Sequence, residues 1–183
     1  IRVVKDSDVR FLSISEGTDE RNRLYFKTAN DKTFKPIIDE LRAAYSLIGY
    51  KDGLFWFYTT ENAKNGKVVS LEINGSDFIW KEVVPEKQNN ISSISLINNN
   101  FVINYIVDTF SEIYFYTLNG DLINKLEGFE ESTISGFGGN IEDQKTYFSI
   151  NNFIKPKEIY EIDLTTLQTS LFWKEDLKNY DPN

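Results

Sequence analysis

The chain has 183 residues, 40% of them hydrophobic and 15% aromatic, with ten Tyr and fourteen Phe, enough for a domain with a sizeable core and a bias towards packed sheets over helices. It contains no Cys and no His, which excludes disulfides, cysteine nucleophiles, a Ser-His-Asp triad and a histidine- or thiolate-ligated zinc within these residues. A net charge of −8, with 20 Lys and Arg dispersed among 28 acids, argues against phosphate-backbone binding, and no run approaches the roughly 18 apolar residues of a membrane span. The residues present therefore suggest no cofactor, no metal, no nucleic acid and no membrane as partners.

Taken in order, the chain is a succession of short runs with period-two alternation, rich in β-branched and aromatic residues and separated by Gly, Asn and Asp turns. The predicted strands fall into fours. The first group covers residues 1–5, 9–15, 23–27 and 34–38, and the second 44–48, 54–60, 67–73 and 79–84. The third covers 91–97, 101–107, 112–117 and 122–126, and the fourth 133–137, 146–151, 158–163 and 169–173. The groups begin at residues 1, 44, 91 and 133, a spacing close to the ~40 to 50 residues of a four-stranded propeller blade. The expected fold class is therefore all-β, a β-propeller of about four four-stranded antiparallel blades spanning 1–42, 43–89, 90–131 and 132–174, with 175–183 as a linker. A β-sandwich is the nearest competitor, but a four-strand grouping at nearly constant length favours blades.

Within the groups the second and third strands carry the densest aromatics, as in Phe55, Trp56, Phe57 and Tyr58, and alternation sets Phe55 and Phe57 on the face opposite Trp56 and Tyr58. Apolar residues of both parities imply burial of both faces of a sheet. Asn119-Gly120-Asp121 is the strongest hairpin signal, with Lys51-Asp52-Gly53, Asn65-Gly66 and Asn98-Asn99-Asn100 weaker ones. Residues 39–44 alone have a helical composition, in a stretch too short to specify a helix.

Several strings invite a chemical reading. Gly136-Phe137-Gly138-Gly139 has the look of a phosphate-cradling loop, yet residues 140–144 read as a turn rather than a helix, so a bulged strand end is expected. Adjacent acids such as Glu130-Glu131 and Asp39-Glu40 do not face each other across a cleft as paired catalytic carboxylates must. Asn74-Gly75-Ser76 and Asn90-Ile91-Ser92 match the glycosylation pattern, which arises by chance in an Asn-rich chain. Trp56, Trp80 and Trp173 are expected in packing rather than ligand stacking.

The stretch Glu16-Gly17-Thr18-Asp19-Glu20-Arg21-Asn22-Arg23-Leu24-Tyr25, a polar turn between two strands, resembles the E-G-(C/T)-D-P-x-N-R-L-(Y/W) motif of the prolyl oligopeptidase family of serine peptidases, departing from it at Glu20, where the family has proline. Further segments resemble that family in the same order: Trp80-Lys81-Glu82-Val83-Val84-Pro85-Glu86, Phe101 to Tyr105 followed by Asp108, Thr133 to Gly139, Phe153 to Tyr160, and Tyr180-Asp181-Pro182. The resemblance implies the last four blades of a seven-bladed propeller that caps the active site of a prolyl endopeptidase, with residues 175–183 leading towards an α/β-hydrolase domain. In the family the G-x-S-x-G serine and its Asp and His partners lie on that domain; no G-x-S-x-G occurs here, so no residue of this chain is expected to be catalytic.

By the same resemblance Thr18 is substrate-facing, near the pocket for the residue upstream of proline. Ser15 stands where several members have an arginine, so it too would face substrate with a weaker electrostatic contact. The implied partners are a peptide substrate and the hydrolase domain. On residues alone the same turn reads as a self-contained polar loop, with Asp19 bonding nearby N–H groups and Arg21 or Arg23 in surface pairs. The second functional class consistent with the strand pattern is a stand-alone propeller binding proteins or peptides. A start at Ile1 and the absence of Met suggest a piece of a longer protein, and four blades of seven would leave sheet faces bare for self-association.

Overall fold

In the computed structural model, which describes residues 1–152 and 156–175, all sixteen expected strands are present in four antiparallel sheets of four. The first sheet contains β1 (Arg2–Val3), β2 (Arg10–Ser15), β3 (Asn22–Lys27) and β4 (Lys35–Ile38). The second contains β5 (Tyr45–Lys51), β6 (Leu54–Thr59), β7 (Lys67–Asn74) and β8 (Asp77–Val84). The third contains β9 (Asn90–Ile97), β10 (Asn100–Val107), β11 (Phe110–Thr117) and β12 (Leu122–Lys125), and the fourth β13 (Thr133–Gly136), β14 (Lys145–Asn151), β15 (Glu158–Asp163) and β16 (Thr169–Lys174). Neighbours in sequence are neighbours in each sheet, and the register slips between the third and fourth strand of every sheet, as at Leu24/Tyr25 and Val68/Val69. Such bulges add local twist.

The chain divides into two compact units, residues 1–88 and 89–183, each holding two sheets. In the first, Phe11, Leu24 and Phe26 of the first sheet meet Tyr45, Phe55, Phe57, Val69 and Leu71 of the second. Rings meet edge to face, Phe57 lying 5.3 Å from Phe11 and 5.5 Å from Trp80 between centroids, the arrangement ring quadrupoles favour. In the second unit Val102, Ile113 and Phe115 join Ile134, Phe137, Phe148 and Ile162. Phe55, Trp56 and Phe57 are consecutive and all buried, as are Phe101 to Tyr105, so side chains of both parities are buried on β6 and β10. On β14, burial alternates residue by residue, with Tyr147 exposed between buried Thr146 and Phe148.

One device occurs in both units. The N–H of Asn22, at the start of β3, donates to the Ala43 carbonyl (3.1 Å), and the Asn22 side-chain oxygen accepts the N–H of Tyr45 (2.7 Å). In the second unit the N–H of Ser111 donates to the Ser132 carbonyl (2.9 Å) and its hydroxyl accepts the N–H of Ile134 (3.0 Å). Carbonyl and amide lie at the same distance along the chain from the clasping residue in the two cases. Each clasp ties the third strand of one sheet to the first strand of the next, satisfying buried backbone groups that no ladder reaches.

This clasp explains why residues 39–44 form no helix. The Ala43 carbonyl accepts from Asn22, and Ala44 exchanges bonds with Thr60 through its N–H to the hydroxyl (2.9 Å) and its carbonyl from the Thr60 N–H (3.2 Å). With these backbone groups committed to other strands, local helical composition is overridden. Asn22→Leu should lower stability by about 1–3 kcal/mol, because the Tyr45 N–H is left buried without an acceptor. Asn22→Ser, which supplies the acceptor type found at Ser111, should recover part of that loss in a urea melt.

Turn chemistry partly reorders the expectation. Asp52 and Gly53 have φ of 48° and 88°, and Asn98 and Asn99 49° and 56°, the paired positive values of a primed two-residue hairpin. Asn119 is not among the positive-φ residues. Gly120 is, at 91°, and its N–H bonds the Thr117 carbonyl while the Thr117 N–H bonds Asp121, so this connection is a longer loop closed by a left-handed glycine. The Thr117 hydroxyl also takes the N–H groups of Asn119 and Asp121, a local anchor that favours the longer loop.

Candidate functional site

The connection between β2 and β3 is the stretch that the sequence singles out, and its geometry is set by charge. A turn closes where the Asp19 N–H donates to the Glu16 carbonyl (3.1 Å), with Gly17 at φ 58°, a conformation glycine takes without steric cost. The Asp19 carboxylate then accepts the Arg21 N–H (2.9 Å) and is gripped in a fork by the Arg21 guanidinium, Nη2 at 2.6 Å and Nε at 3.0 Å. Such bidentate pairs fix orientation as well as distance. Arg23, two residues into β3, reaches back to Glu16 (2.8 Å) and also donates to the Asp39 carbonyl (3.3 Å). Tyr25, on the same strand face, donates its hydroxyl to the Asp39 carboxylate.

Both ends of the loop are therefore held, one through Asp19–Arg21 and the other through Glu16–Arg23, with Asp39 joining it to the segment that enters β5. Thr18 sits at the exposed apex between these pairs, its hydroxyl without a protein partner among the described residues. Ser15, the last residue of β2, is exposed beside it. The loop is thus a braced platform that presents a free hydroxyl, and the polar self-pairing expected from the residues is present. The links from Arg23 and Tyr25 to Asp39 were missed in the sequence, where the only signal was their i, i+2 placement on one strand face.

Electrostatics follow the pairing. The Arg21 side chain, and then its backbone N–H, hold the Asp19 carboxyl down at about 2, from 3.8. Arg21 and Arg23 are raised by Asp19 and Glu16 respectively. Hydrogen bonding to Asp39 pushes the Tyr25 hydroxyl up. Because the folded value for Asp19 lies below the unfolded one, the bracing is present above pH ~4 and is lost as pH falls towards ~2. An NMR titration should show the Asp19 carboxyl titrating in that lower range and, in Asp19→Asn, increased mobility of Gly17 and Thr18 at neutral pH.

Beyond the loop, Tyr45 links to Glu61 (2.6 Å), which also pairs with Arg42 (2.8 Å). Burial, then the Glu61 bond, raises the Tyr45 hydroxyl to about 12. A cleft of about 290 Å³ opens between β1, β2 and β5, floored by Phe11, Leu24, Tyr45 and Phe57; Ser15 and Thr18 are not among its lining residues. Gly136 ends β13 and Phe137 to Gly139 leave the strand, with the Phe137 N–H on the Tyr147 carbonyl (2.9 Å) and Phe137 buried; the β13–β14 register runs without the expected bulge. No helix comes after it, so no phosphate cradle exists there. Glu130 caps the Gly128 N–H, and Glu131 is a solvent-exposed turn residue at φ 54°. Among the described residues no group of three or more acids converges in a way that could hold a metal ion. Phe153 to Lys155, the start of the Phe153–Tyr160 string, and residues 176–183, which hold Tyr180-Asp181-Pro182 and all but the first residue of the expected linker, lie outside the described residues.

Comparison with known proteins gives the arrangement its lineage. Prolyl endopeptidase of Elizabethkingia miricola is 27% identical over 174 residues, 93% of this chain and 24% of that protein, and the Elizabethkingia meningoseptica enzyme of the same name aligns to the same extent. Prolyl oligopeptidase A of Galerina marginata is 25% identical over 87% of the chain. The chain thus spans about a quarter of the length of the curated relatives it matches. Among solved structures, one from a study of two prolyl endopeptidases superposes with a TM-score of 0.87 at 24% identity, covering 98% of this chain and 26% of that one. Prolyl oligopeptidase B from Galerina marginata, bound to a 35mer hydrolysis and macrocyclization substrate, superposes with a TM-score of 0.88 at 20% identity, covering 98% of this chain and 26% of that one. The family model for the prolyl oligopeptidase N-terminal β-propeller domain matches residues 1–175, and the chain, four sheets of a β-propeller, belongs to that family.

Proposed function

We propose that the chain is the non-catalytic propeller segment of a prolyl-specific serine endopeptidase, acting as a wall that admits short or unfolded peptides to an active site on an α/β-hydrolase domain. The four sheets would be consecutive blades, with residues 175–183 leading towards that domain. One observation carries the reading: the loop matching the family motif is braced at both ends by ion pairs, and it presents Thr18 at an exposed apex. Surface ion pairs of this kind also hold turns that only connect strands, so it is the match of residues 16–25 to the family motif that assigns the exposed Thr18 a role. In this reading Thr18 meets the substrate residue upstream of proline, Ser15 supplies a weaker polar contact beside it, and neither takes part in bond making.

The relatives' names and the bound 35mer in one structural neighbour support a peptide as the partner. A Ser-His-Asp triad needs an imidazole, and these 183 residues contain no His and no G-x-S-x-G string. The test uses the protein expressed with whatever its reading frame encodes downstream. Thr18→Arg should raise KM for a peptide with a bulky residue upstream of proline while leaving kcat nearly unchanged, as expected when only ground-state binding is altered. An unchanged KM across a series of upstream residues would remove Thr18 from the substrate path. Absence of any proline-directed cleavage by that longer protein would overturn the peptidase reading itself.

A further inference from the structure

We propose that Asn74 is a site of spontaneous covalent modification, in which the backbone nitrogen of Gly75 displaces ammonia from the Asn74 side-chain amide, and water then opens the resulting ring to aspartate or isoaspartate. The chain contains three Asn-Gly pairs, at 65–66, 74–75 and 119–120. Glycine after asparagine removes the side chain that would crowd this attack, so sequence alone makes the three equivalent. The fold separates them.

At the first pair, the Gly66 N–H is engaged by the Ala63 carbonyl (2.9 Å), and the Asn65 amide nitrogen donates to the carbonyls of Lys87 and Gln88 (2.9 Å each). Both reacting groups are held. The ring of Tyr58 also fills the space beside Gly66. At the third pair the Gly120 N–H donates to the Thr117 carbonyl (3.0 Å), and the Asn119 N–H to the Thr117 hydroxyl (3.3 Å). Its nucleophile is held as well.

Asn74 differs in its nucleophile and in the open space beside Gly75. It ends β7 opposite Asp77 at an exposed hairpin tip, Gly75 is in the left-handed region at φ 62°, and the Gly75 N–H has no acceptor among the described residues. The Asn74 amide nitrogen donates to one exposed acceptor, the Glu72 carboxylate (3.0 Å), so what sets this pair apart is the unheld Gly75 nitrogen. Hairpin tips also open locally at small free-energy cost, which admits the bent geometry required.

The chemistry balances without an oxidant. The Gly75 nitrogen bonds to the Asn74 Cγ, and the Cγ–Nδ2 bond breaks. Ammonia leaves with the proton from the Gly75 N–H. Water then adds to one of the two imide carbonyls, its hydroxyl going to carbon and its proton to nitrogen. Opening on the side-chain side gives aspartate, and opening on the main-chain side gives isoaspartate with one extra backbone carbon. Either product places a carboxylate beside Glu72 and Asp77, where an amide had donated a hydrogen bond. The isoaspartate also breaks the 74–77 pairing, so the β7–β8 tip should fray irreversibly with time.

The test is peptide mapping by mass spectrometry of the intact chain, made in a host without N-glycosylation because Asn74-Gly75-Ser76 fits that pattern, after ageing at mildly alkaline pH. The expected result is the amide-to-acid mass change at Asn74, with isoaspartate as part of the product, while Asn65 and Asn119 remain unconverted over the same period. In urea all three should convert at comparable rates, and Asn74→Gln should abolish the change at 74. Conversion of Asn65 or Asn119 as fast as Asn74 in the folded chain, or no conversion at Asn74 when the urea sample converts, would overturn the proposal. Asp52-Gly53 forms isoaspartate without a mass change and does not confound this readout.

Discussion

Phe57→Ala is expected to lower the stability of the first unit by about 3–5 kcal/mol, the range for removing a fully buried phenylalanine without collapse of its surroundings. Phe57 has no exposed surface and stands between the first and second sheets, with Phe11 and Trp80 edge-on to its ring. Truncation would delete two aromatic contacts and leave a cavity that the opposing β-sheets cannot close without moving relative to each other. Since domains are typically stable by about 5–15 kcal/mol, the loss should shift the urea midpoint strongly or abolish cooperative unfolding of residues 1–88. Ile79→Ala, on β8 of the same second sheet but half exposed, should change stability by only about 0.5 kcal/mol. Equal effects at the two positions would show that the packing is not as described.

Gly136→Ala is expected to cost about 3 kcal/mol or more, from two sources that other glycines separate. The φ of 122° is strained for any residue with a Cβ, worth about 1–3 kcal/mol. An added Cβ would also stand 2.7 Å from the Tyr147 carbonyl oxygen and 2.9 Å from the Phe148 Cα, both backbone atoms in the middle of β14. Relief requires opening the β13–β14 ladder, which would pull Phe137 from its stack on Phe148, now 5.0 Å between centroids. Gly53→Ala has positive φ but open space and should show only the conformational part. Gly138→Ala has neither handicap and should be nearly neutral, so the series of three in one denaturation experiment isolates the clash.

The same glycine shows where the sequence could be read and where it could not. Strand existence was legible because short β-branched and aromatic runs alternate with turn residues along the whole chain, although burial alternates cleanly only on strands such as β3 and β14. The fourth sheet's first strand was expected to reach 137, but it ends at Gly136 because Phe137 takes φ 58° to enter the core. That conformation is imposed by Phe115 and Phe148, residues distant in sequence. Residues 39–44 have a helical composition in a stretch too short to specify a helix, and their backbone groups bond Asn22 and Thr60 instead.

The clasping roles of Asn22 and Ser111 were illegible for a related reason. A polar residue at a strand start reads as a turn, and only the fold reveals that it accepts the N–H of the following sheet. Of the loop, the pairs Asp19–Arg21 and Glu16–Arg23 were foreseeable from charge alternation within a short turn. The bracing of that loop by Asp39 was not, because it depends on where β4 ends.

Family membership rests on residues 1–175 as a whole, whereas the role of Thr18 rests on one braced turn and its position in the motif. If the proposed function holds, a substitution at Phe57 or Gly136 in a protein that includes the hydrolase domain would reduce activity only through folding, and should be rescued by stabilising conditions. On the same proposal, a substitution at Thr18 should alter substrate preference without changing the melting midpoint. That contrast distinguishes a wall from a contact surface within one set of variants.

If these residues shield and line a reaction without performing it, the purified 183-residue chain should be inert towards a short proline-containing peptide when incubated without added metal or partner protein. The predicted result is no cleavage above the buffer blank at any pH. Turnover that copurifies with the folded chain and disappears on its unfolding would contradict it.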